Sequence, residues 1–232
     1  MLNSLLFGVY FPLLIFVELA IAVWQNGGSL SWDISILLAI HQIAQTRLDS
    51  FAAMLTELGT SWGVVPVTAI IALILLLLRQ WLQSLYLLTT VLGGYAISVT
   101  VKTLLHRARP SLWELSYPLP SDYAFPSGHA MSSMTLVVAL IVLSWGSRWS
   151  ASISIFGTIF AVAIGWTRMY LGVHFPSDVL GGWMLAIAWG IGVSLLLGMN
   201  FSQKNLDTTN KIGTKQFALI LSGYCQRAII QP

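Results

Sequence analysis

The sequence alternates between long apolar runs and short polar segments. A helix of about 20 apolar residues can cross the hydrocarbon core of a bilayer, and six runs come close to this length or reach it. We therefore expect an all-α integral membrane protein with six transmembrane helices. The predicted spans are residues 5–24, 62–78, 82–104, 129–145, 152–171 and 179–199.

Between the first two spans, residues 31–61 mix apolar and polar positions. Apolar side chains recur there at helical spacing in two pieces, one around Leu37 and one around Leu55. Each piece is too short and too polar to span, which predicts amphipathic helices in the membrane interface. The spans place residues 1–200 in one membrane domain, and we assign no role to the tail, residues 201–232.

Composition supports this class. The chain has 232 residues, of which 56% are hydrophobic and 8% are charged, whereas soluble domains carry about 25% charged residues. A net charge of +3 without a basic run argues against nucleic acid as a partner. Cys225 is the single cysteine, which excludes an internal disulfide and a cysteine-based metal site. Because no basic residue precedes Arg47, we expect residues 5–24 to be a retained span and not a cleaved signal peptide.

Three polar clusters lie at the edges of apolar runs. Ionisable side chains at the rim of a span are expensive and usually mark function. With six spans, the loops after the third and fifth spans lie on the same face, opposite both chain ends, and all three clusters lie in or beside those loops. We therefore predict one site for a phosphate monoester. Its ionisable side chains are Lys102, Arg109, His129, Arg168, His174 and Asp178.

The first two clusters suit an anion. Lys102 and Arg109 are two helical turns apart, so they would share one helix face. The alternative is that both are ordinary cations at a membrane boundary whose side chains extend into the headgroup region. Ser127 is a natural helix N-cap, and Gly128 allows close backbone approach to a phosphate at a helix N-terminus. An ordinary capped helix start is the alternative. His129 weakens it, because the helix dipole disfavours a cation in the first turn.

The third cluster contains Arg168, His174 and Asp178. Pro176 argues against one continuous helix through His174 and Asp178, and predicts a turn followed by a helix capped by Ser177 or Asp178. The carboxylate could then accept a hydrogen bond from one ring nitrogen, which fixes the tautomer and leaves the other nitrogen free to attack. The alternative is a plain aspartate cap beside an interfacial histidine.

Taken together, Lys-x6-Arg-Pro, Pro-Ser-Gly-His and Thr-Arg-x5-His-x3-Asp resemble the three-part signature of the type-2 phosphatidic acid phosphatase family. Its superfamily includes vanadium haloperoxidases and bacterial acid phosphatases. The resemblance covers residues 31–199 and is to the membrane-bound branch. One position departs from the pattern, because Thr167 stands where the family usually has serine. Threonine keeps the hydroxyl, so we expect a phosphate contact there.

The resemblance implies a role for each residue. His174 would attack phosphorus to form a phosphohistidine, oriented by Asp178, and His129 would protonate the leaving group and then activate water. Five further residues would hold the phosphoryl oxygens: Lys102, Arg109, Ser127, Gly128 and Arg168. We expect no metal and no other cofactor, because three cations neutralise the phosphate.

The expected function is hydrolysis of a lipid phosphate monoester or pyrophosphate at the membrane surface. Candidate substrates are phosphatidic acid, phosphatidylglycerophosphate and a polyprenyl pyrophosphate such as undecaprenyl pyrophosphate. The sequence does not select one of these lipids, and it does not predict an oligomeric state. One alternative is a phosphotransferase using the same site. Another is a non-catalytic protein that binds or translocates a lipid headgroup, but a headgroup clamp does not need an oriented nucleophile. The scarcity of soluble sequence disfavours a vanadium haloperoxidase.

The distribution of basic residues predicts the orientation. Six basic residues lie on the side of the chain ends: Arg79, Arg148, Lys204, Lys211, Lys215 and Arg227. The catalytic side has Arg47, Lys102, Arg107, Arg109 and Arg168. Three of these belong to the predicted phosphate site, which leaves six against two. The positive-inside rule then puts both termini in the cytoplasm, and the site on the extracytoplasmic face of a plasma or inner membrane.

Overall fold

The computed structural model describes residues 2–26, 28, 30–114 and 117–199, so the tail, residues 201–232, lies outside the described part. Eight helices and no strand occur within the described ranges. The helices are α1 (Leu2–Gln25, with a π-helical turn at Leu6–Tyr10), α2 (Ser31–His41), α3 (Thr46–Glu57), α4 (Ser61–Leu77), α5 (Trp81–Leu105), α6 (Gly128–Ser144), α7 (Ser150–Tyr170) and α8 (Pro176–Leu196).

Five helical stretches in the described part are long and apolar enough to cross a membrane. Such a segment satisfies its backbone hydrogen bonds internally, as hydrocarbon requires. The predicted class, an all-helical multi-pass membrane protein, is confirmed. The stretches are Leu2–Gln25, Thr46–Leu77, Trp81–Leu105, Ser150–Tyr170 and Pro176–Leu196. The fourth predicted span appears as α6, a shorter apolar helix of 17 residues.

Helix α6 lies at the centre of the fold and packs against α5, α7 and α8. Most of its side chains from Ala130 to Ala139 are buried. A helix that is hydrophobic all round belongs in an interior. Its neighbours approach closely through small residues, since Gly94 lies against Thr135 and Gly190 against Val138.

The two short helices predicted within residues 31–61 are present as α2 and α3. Each carries a polar side chain with no solvent exposure, Asp33 on α2 and Thr56 on α3. Helix α2 packs against α7 and α8, and α3 packs against α7. Each of the two helices therefore buries a polar side chain in the protein interior in addition to its apolar face.

Helix α5 ends close to the predicted limit of the third span. It stops at Leu105, and His106 adopts a left-handed conformation with φ of 49°. The chain then folds back, since the N–H of Ala124 donates to the carbonyl of Arg107 at 2.9 Å. Lys102 and Arg109 therefore do not share a helix face, and that prediction is wrong. The left-handed residue breaks the helical spacing between them.

Gly182 sets the distance between α8 and the start of α6. A Cβ at this position would lie 2.9 Å from the carbonyl oxygen of Ser127 and 3.2 Å from the backbone nitrogen of Met131. Both neighbours are backbone atoms, so neither can yield without moving α6. The glycine therefore places the polar start of α6 against the polar start of α8.

We expect Gly182→Ala to displace the start of α6 and to destabilise the fold. Overpacking of this kind costs about 1–3 kcal/mol. The measurement is the thermal unfolding midpoint of the purified protein in detergent.

Gly192→Ala is the matched control on the same helix, because a Cβ there meets nothing within 4 Å. Alanine is favoured over glycine in a helix by up to about 1 kcal/mol, so this variant should keep or raise the midpoint. Equal midpoints for the two variants would contradict the role assigned to Gly182.

Candidate active site

The three polar clusters meet at one end of the helix bundle. The guanidinium of Arg109, in the loop after α5, donates to the carbonyl of Val173, in the turn before α8, at 2.7 Å. The start of α6 is joined to α8, because the N–H of Ser127 donates to the carbonyl of Asp178 at 2.9 Å. The structure thus brings the clusters together, as the order of the spans predicts.

Asp178 both caps α8 and holds His174. Its Oδ2 accepts a hydrogen bond from the N–H of Phe175 at 2.8 Å, at the start of the helix. The same oxygen lies 3.3 Å from Nδ1 of His174. The expected turn and capped helix are therefore present, and the carboxylate reaches back to the imidazole.

The protonation of the His174 ring follows from its two contacts. Nη1 of Arg109 lies 3.0 Å from Nε2 of His174, and a guanidinium can only donate. Nε2 is therefore the acceptor, and Nδ1 carries the proton donated to Asp178. Burial lowers the pKa of His174 well below its usual value, and nearby cations act in the same direction. These are Arg109, Arg168 and Lys102.

Lys102 and Arg109 are joined by Asp122, a residue that sequence reasoning missed. Nζ of Lys102 donates to Oδ2 of Asp122 at 2.6 Å, and Nη2 of Arg109 donates to Oδ1 at 2.5 Å. Burial alone would raise the pKa of Asp122, but its hydrogen bonds to the two cations outweigh that effect and lower it. The carboxylate of Asp122 is therefore bound to two of the predicted phosphate-binding cations.

Four buried polar atoms near the candidate nucleophile lack a hydrogen-bond partner within the described residues. They are Ser127 Oγ, His129 Nε2, Arg168 Nε and Arg168 Nη2. Leaving such a group unsatisfied costs about 1–3 kcal/mol each. Ser127 stands at the N-cap of α6 but makes no side-chain capping bond, so the expected cap is absent and its hydroxyl remains available. This arrangement suits a ligand that accepts several hydrogen bonds, such as a phosphate.

The remaining predicted residues take the following places. Nη1 of Arg168 donates to the hydroxyl of Thr56 on α3 at 2.9 Å, which orients the guanidinium. A Cβ at Gly128 would lie 3.9 Å from the side chains of Lys102 and Ser98, which is ordinary van der Waals contact, so the backbone of Gly128 lies beside Lys102. The hydroxyl of Thr167 donates to the carbonyl of Ile164 at 2.6 Å, inside its own helix. Its proton is therefore not available for the expected phosphate contact.

Arg107 and Asp33 are the largest omission of the sequence reasoning. From the sequence, Arg107 counts only among the basic residues of the catalytic side, but the side chains of Arg107 and Asp33 have no solvent exposure and form an ion pair at 2.7 Å. Arg107 also forms an ion pair with Asp178. The principle that ionisable groups at span edges mark function applies to both residues. Arg107 and Asp33 are 74 positions apart in the sequence, however, so their pairing cannot be seen from local spacing.

The carboxylates at the site face cations. Asp33 and Asp178 share Arg107, while Asp122 bridges Lys102 and Arg109. In the described ranges no group of three or more His, Cys, Asp and Glu side chains is arranged to hold a metal ion. The site thus combines cationic hydrogen-bond donors with the imidazoles of His129 and His174.

Comparison with known proteins gives a family match. The model of the PAP2 superfamily matches residues 83–202. An undecaprenyl-diphosphatase from Sulfolobus acidocaldarius is 30% identical over 179 residues, which are 75% of this chain and 83% of that protein. Phosphatidylglycerophosphatase B from Bacillus subtilis is 31% identical over 179 residues, covering 75% of this chain and 87% of that protein.

A solved structure is similar as well. It is the crystal structure of a transmembrane PAP2 type phosphatidylglycerolphosphate phosphatase from Bacillus subtilis. The TM-score is 0.71 at 28% sequence identity, and the alignment covers 80% of this chain and 93% of that chain.

We expect Asp122→Asn to tighten the binding of inorganic vanadate or phosphate, because it removes a carboxylate that competes for Lys102 and Arg109. Asp122 is 53% exposed, so solvent limits the effect to about fivefold in Kd, or about 1 kcal/mol. Isothermal titration of the detergent-solubilised protein measures the change.

The control is Glu114→Gln, which removes an exposed carboxylate from the same loop and should leave the Kd unchanged. Weaker binding by Asp122→Asn would mean that this carboxylate holds the cations in place for the anion and does not compete with it.

Proposed function

This chain belongs to the PAP2 superfamily, and we propose that it hydrolyses a membrane lipid phosphate monoester or pyrophosphate through a phosphohistidine. Candidate substrates are phosphatidic acid, phosphatidylglycerophosphate and polyprenyl pyrophosphate. The last two fit the names of its undecaprenyl-diphosphatase and phosphatidylglycerophosphatase relatives. Water is the proposed acceptor of the phosphoryl group.

The observation that carries this proposal is the contact set of His174. Its Nδ1 faces Asp178 at 3.3 Å, and its Nε2 faces the cationic side of the site. A protein that merely clamps a headgroup needs cations but has no use for an oriented imidazole. The paired ring nitrogens therefore favour an enzyme over a headgroup-binding protein.

The first step is attack by Nε2 of His174 on phosphorus. A bond forms between phosphorus and Nε2 while the bond to the leaving oxygen breaks. Arg109 first transfers its hydrogen bond from Nε2 to a phosphoryl oxygen, which exposes the lone pair. His129 donates its Nε2 proton to the departing lipid alkoxide, or to the lipid phosphate when the substrate is a pyrophosphate.

The second step is hydrolysis of the phosphohistidine. His129, neutral after the first step, takes a proton from water, whose oxygen attacks phosphorus as the bond to His174 breaks. Inorganic phosphate leaves, and both histidines return to their starting protonation. Positive charge held in place around the phosphoryl group stabilises both transition states. The donors are Lys102, Arg109, Ser127, the backbone N–H of Gly128, and Arg168.

The proposed reaction needs no metal, because the three cationic side chains neutralise the phosphoryl oxygens. Each cation is already oriented by a contact outside the phosphate position: Lys102 by Tyr123, Arg109 by Val173, and Arg168 by Thr56. Preorganised donors of this kind do not have to reorient during the reaction.

The proposed topology has six spans, with α6 as the fourth, and α2 and α3 in the interface on the catalytic side. Both termini lie in the cytoplasm, and the site lies on the extracytoplasmic face. The positive-inside rule supports this orientation, although four of the six basic residues counted on the terminal side lie outside the described residues.

The purified protein should release inorganic phosphate from at least one lipid in a panel of the three candidate substrates, in excess EDTA. His174→Asn should reduce kcat by more than a thousandfold, because no other described side chain replaces the nucleophile; a thousandfold corresponds to about 4 kcal/mol of barrier. Phosphate release and the thermal unfolding midpoint are measured together.

His106→Asn is the matched control, since His106 lies in the same region, is exposed, and has a left-handed backbone that asparagine tolerates. It should keep kcat within about twofold. Activity of His174→Asn within about tenfold of the parent would refute the assignment of the nucleophile. Activity that disappears in EDTA and returns with Mg²⁺ would refute the metal-free reaction.

The orientation is tested by cysteine labelling in a Cys225→Ser background. Ser111→Cys in the catalytic-side loop and Gln80→Cys in the turn between α4 and α5 both lie at exposed positions. A membrane-impermeant maleimide applied to intact cells, or to spheroplasts where an outer membrane intervenes, should label the first and spare the second. The reverse pattern would place the site in the cytoplasm.

A further inference from the structure

Behind the candidate nucleophile lies a buried group of three charges: Arg107, Asp33 and Asp178. Each of these side chains has no solvent exposure. Nη1 of Arg107 donates to Oδ1 of Asp178, and Nη2 donates to Oδ2 of Asp33 at 2.7 Å. The formal charge of the group is one cation against two carboxylates, which is net negative.

We propose that Arg107 and Asp33 are positioning residues for the reaction of His174, an inference that rests on the proposed function. Arg107 fixes the carboxylate of Asp178 in the orientation that holds the imidazole. Asp33 offsets the charge of Arg107, so that Asp178 keeps an uncompensated negative charge facing His174.

The hydrogen bonds of the guanidinium determine the position of Asp178. Nε of Arg107 donates to the carbonyl of Gly28 at 2.6 Å, and Nη1 also donates to the hydroxyl of Ser177 at 2.7 Å. The guanidinium carbon lies 4.5 Å from the centre of the Phe175 ring. Contacts on several sides leave the guanidinium one orientation, and its fork then presents an N–H to Asp178.

Asp33 is held as firmly as the guanidinium. Its Oδ1 accepts from the N–H of Ser177 at 2.8 Å, and its Oδ2 accepts from the hydroxyl of the same serine at 2.5 Å. Ser177 therefore donates to Asp33 through both its hydroxyl and its backbone, while its hydroxyl accepts from Arg107. Both oxygens of the Asp33 carboxylate therefore have fixed donors.

The charge balance matters because attack on phosphorus puts positive charge on the imidazole. The cations and the second histidine near the ring oppose this charge. They are Lys102 on α5, Arg109 in the following loop, His129 on α6 and Arg168 on α7. The compensating negative charge comes from Asp178 on α8. If Arg107 stood alone beside Asp178, the pair would be neutral and would not offset the positive charge on the imidazole. Solvent would offset little of that charge, because the site is buried.

Helix α2 takes part in this arrangement. The helix carries Asp33 in its first turn, and Gly28 precedes it. Both contribute contacts to Arg107 from the segment between the first and second predicted spans. The segment therefore completes the charge group of the catalytic residues in addition to lying beside the bundle.

The test compares Asp33→Asn, Arg107→Gln and the double variant with the parent, using the lipid that the parent hydrolyses. Each single variant should lower kcat at least tenfold while KM changes less than threefold. Asp33→Asn leaves the group neutral, and Arg107→Gln leaves two carboxylates facing each other. The double variant restores one net negative charge, so its kcat should exceed that of both single variants.

The pH profile separates a charge effect from a structural one. In Asp33→Asn, less negative charge faces the imidazolium, so the acidic limb of kcat should move to lower pH by at least half a unit. In the double variant it should return toward the parent. Asp49→Asn, a change to a carboxylate that accepts from Tyr170, is the control and should leave the limb in place.

Unfolding midpoints and vanadate binding report whether each variant is folded. If Arg107→Gln does not fold, Arg107→Lys replaces it; the lysine keeps the charge but loses the fork, so kcat should fall tenfold without a shift of the limb. Unchanged kcat and pH profile in Asp33→Asn, or a double variant no better than the worse single one, would overturn the inference. A parent without activity on any lipid phosphate would overturn the proposed function and this inference with it.

Discussion

The ion pair between Asp178 and Arg107 joins distant parts of the chain around the candidate nucleophile. Asp178 is at once the cap of α8, the partner of the His174 ring and an acceptor for Arg107. Removing one partner of a buried ion pair leaves an uncompensated charge, which costs about 3–5 kcal/mol. The start of α8, the turn before it and the loop after α5 therefore keep their positions together.

Around this pair the charges are divided between two sides of one imidazole. Lys102, Arg109 and Arg168 lie on the side of the proposed phosphate position, and the group of two carboxylates and one guanidinium lies on the other side. The phosphate side also retains buried donors without partners, on Ser127, His129 and Arg168. Unsatisfied donors of this kind lower the stability of a fold, and a bound phosphoryl group would satisfy them. At these few atoms, the same unsatisfied donors that would favour phosphate binding reduce the stability of the fold.

Arg109 has two roles in this arrangement. It donates to Nε2 of His174 and also binds Asp122. Both contacts occupy groups that the proposed reaction uses, namely the lone pair of the nucleophile and the donors for the phosphate. An arriving phosphate would offer Arg109 a stronger acceptor than neutral imidazole, because the phosphate is negatively charged and two of its oxygens can match the guanidinium fork. In the proposed reaction, substrate binding would therefore also release the nucleophile.

The sequence by itself determined the helical membrane class and the pairing of His174 with Asp178. Both depend on local interactions: a span satisfies its own backbone, and a residue four positions away reaches back across one capped turn. The tertiary structure alone decided that Arg107 meets Asp33 across 74 residues, that Asp122 joins Lys102 to Arg109, and that the chain turns at His106. A charge in the sequence indicates the need for a partner, but which carboxylate meets it depends on how the helices pack.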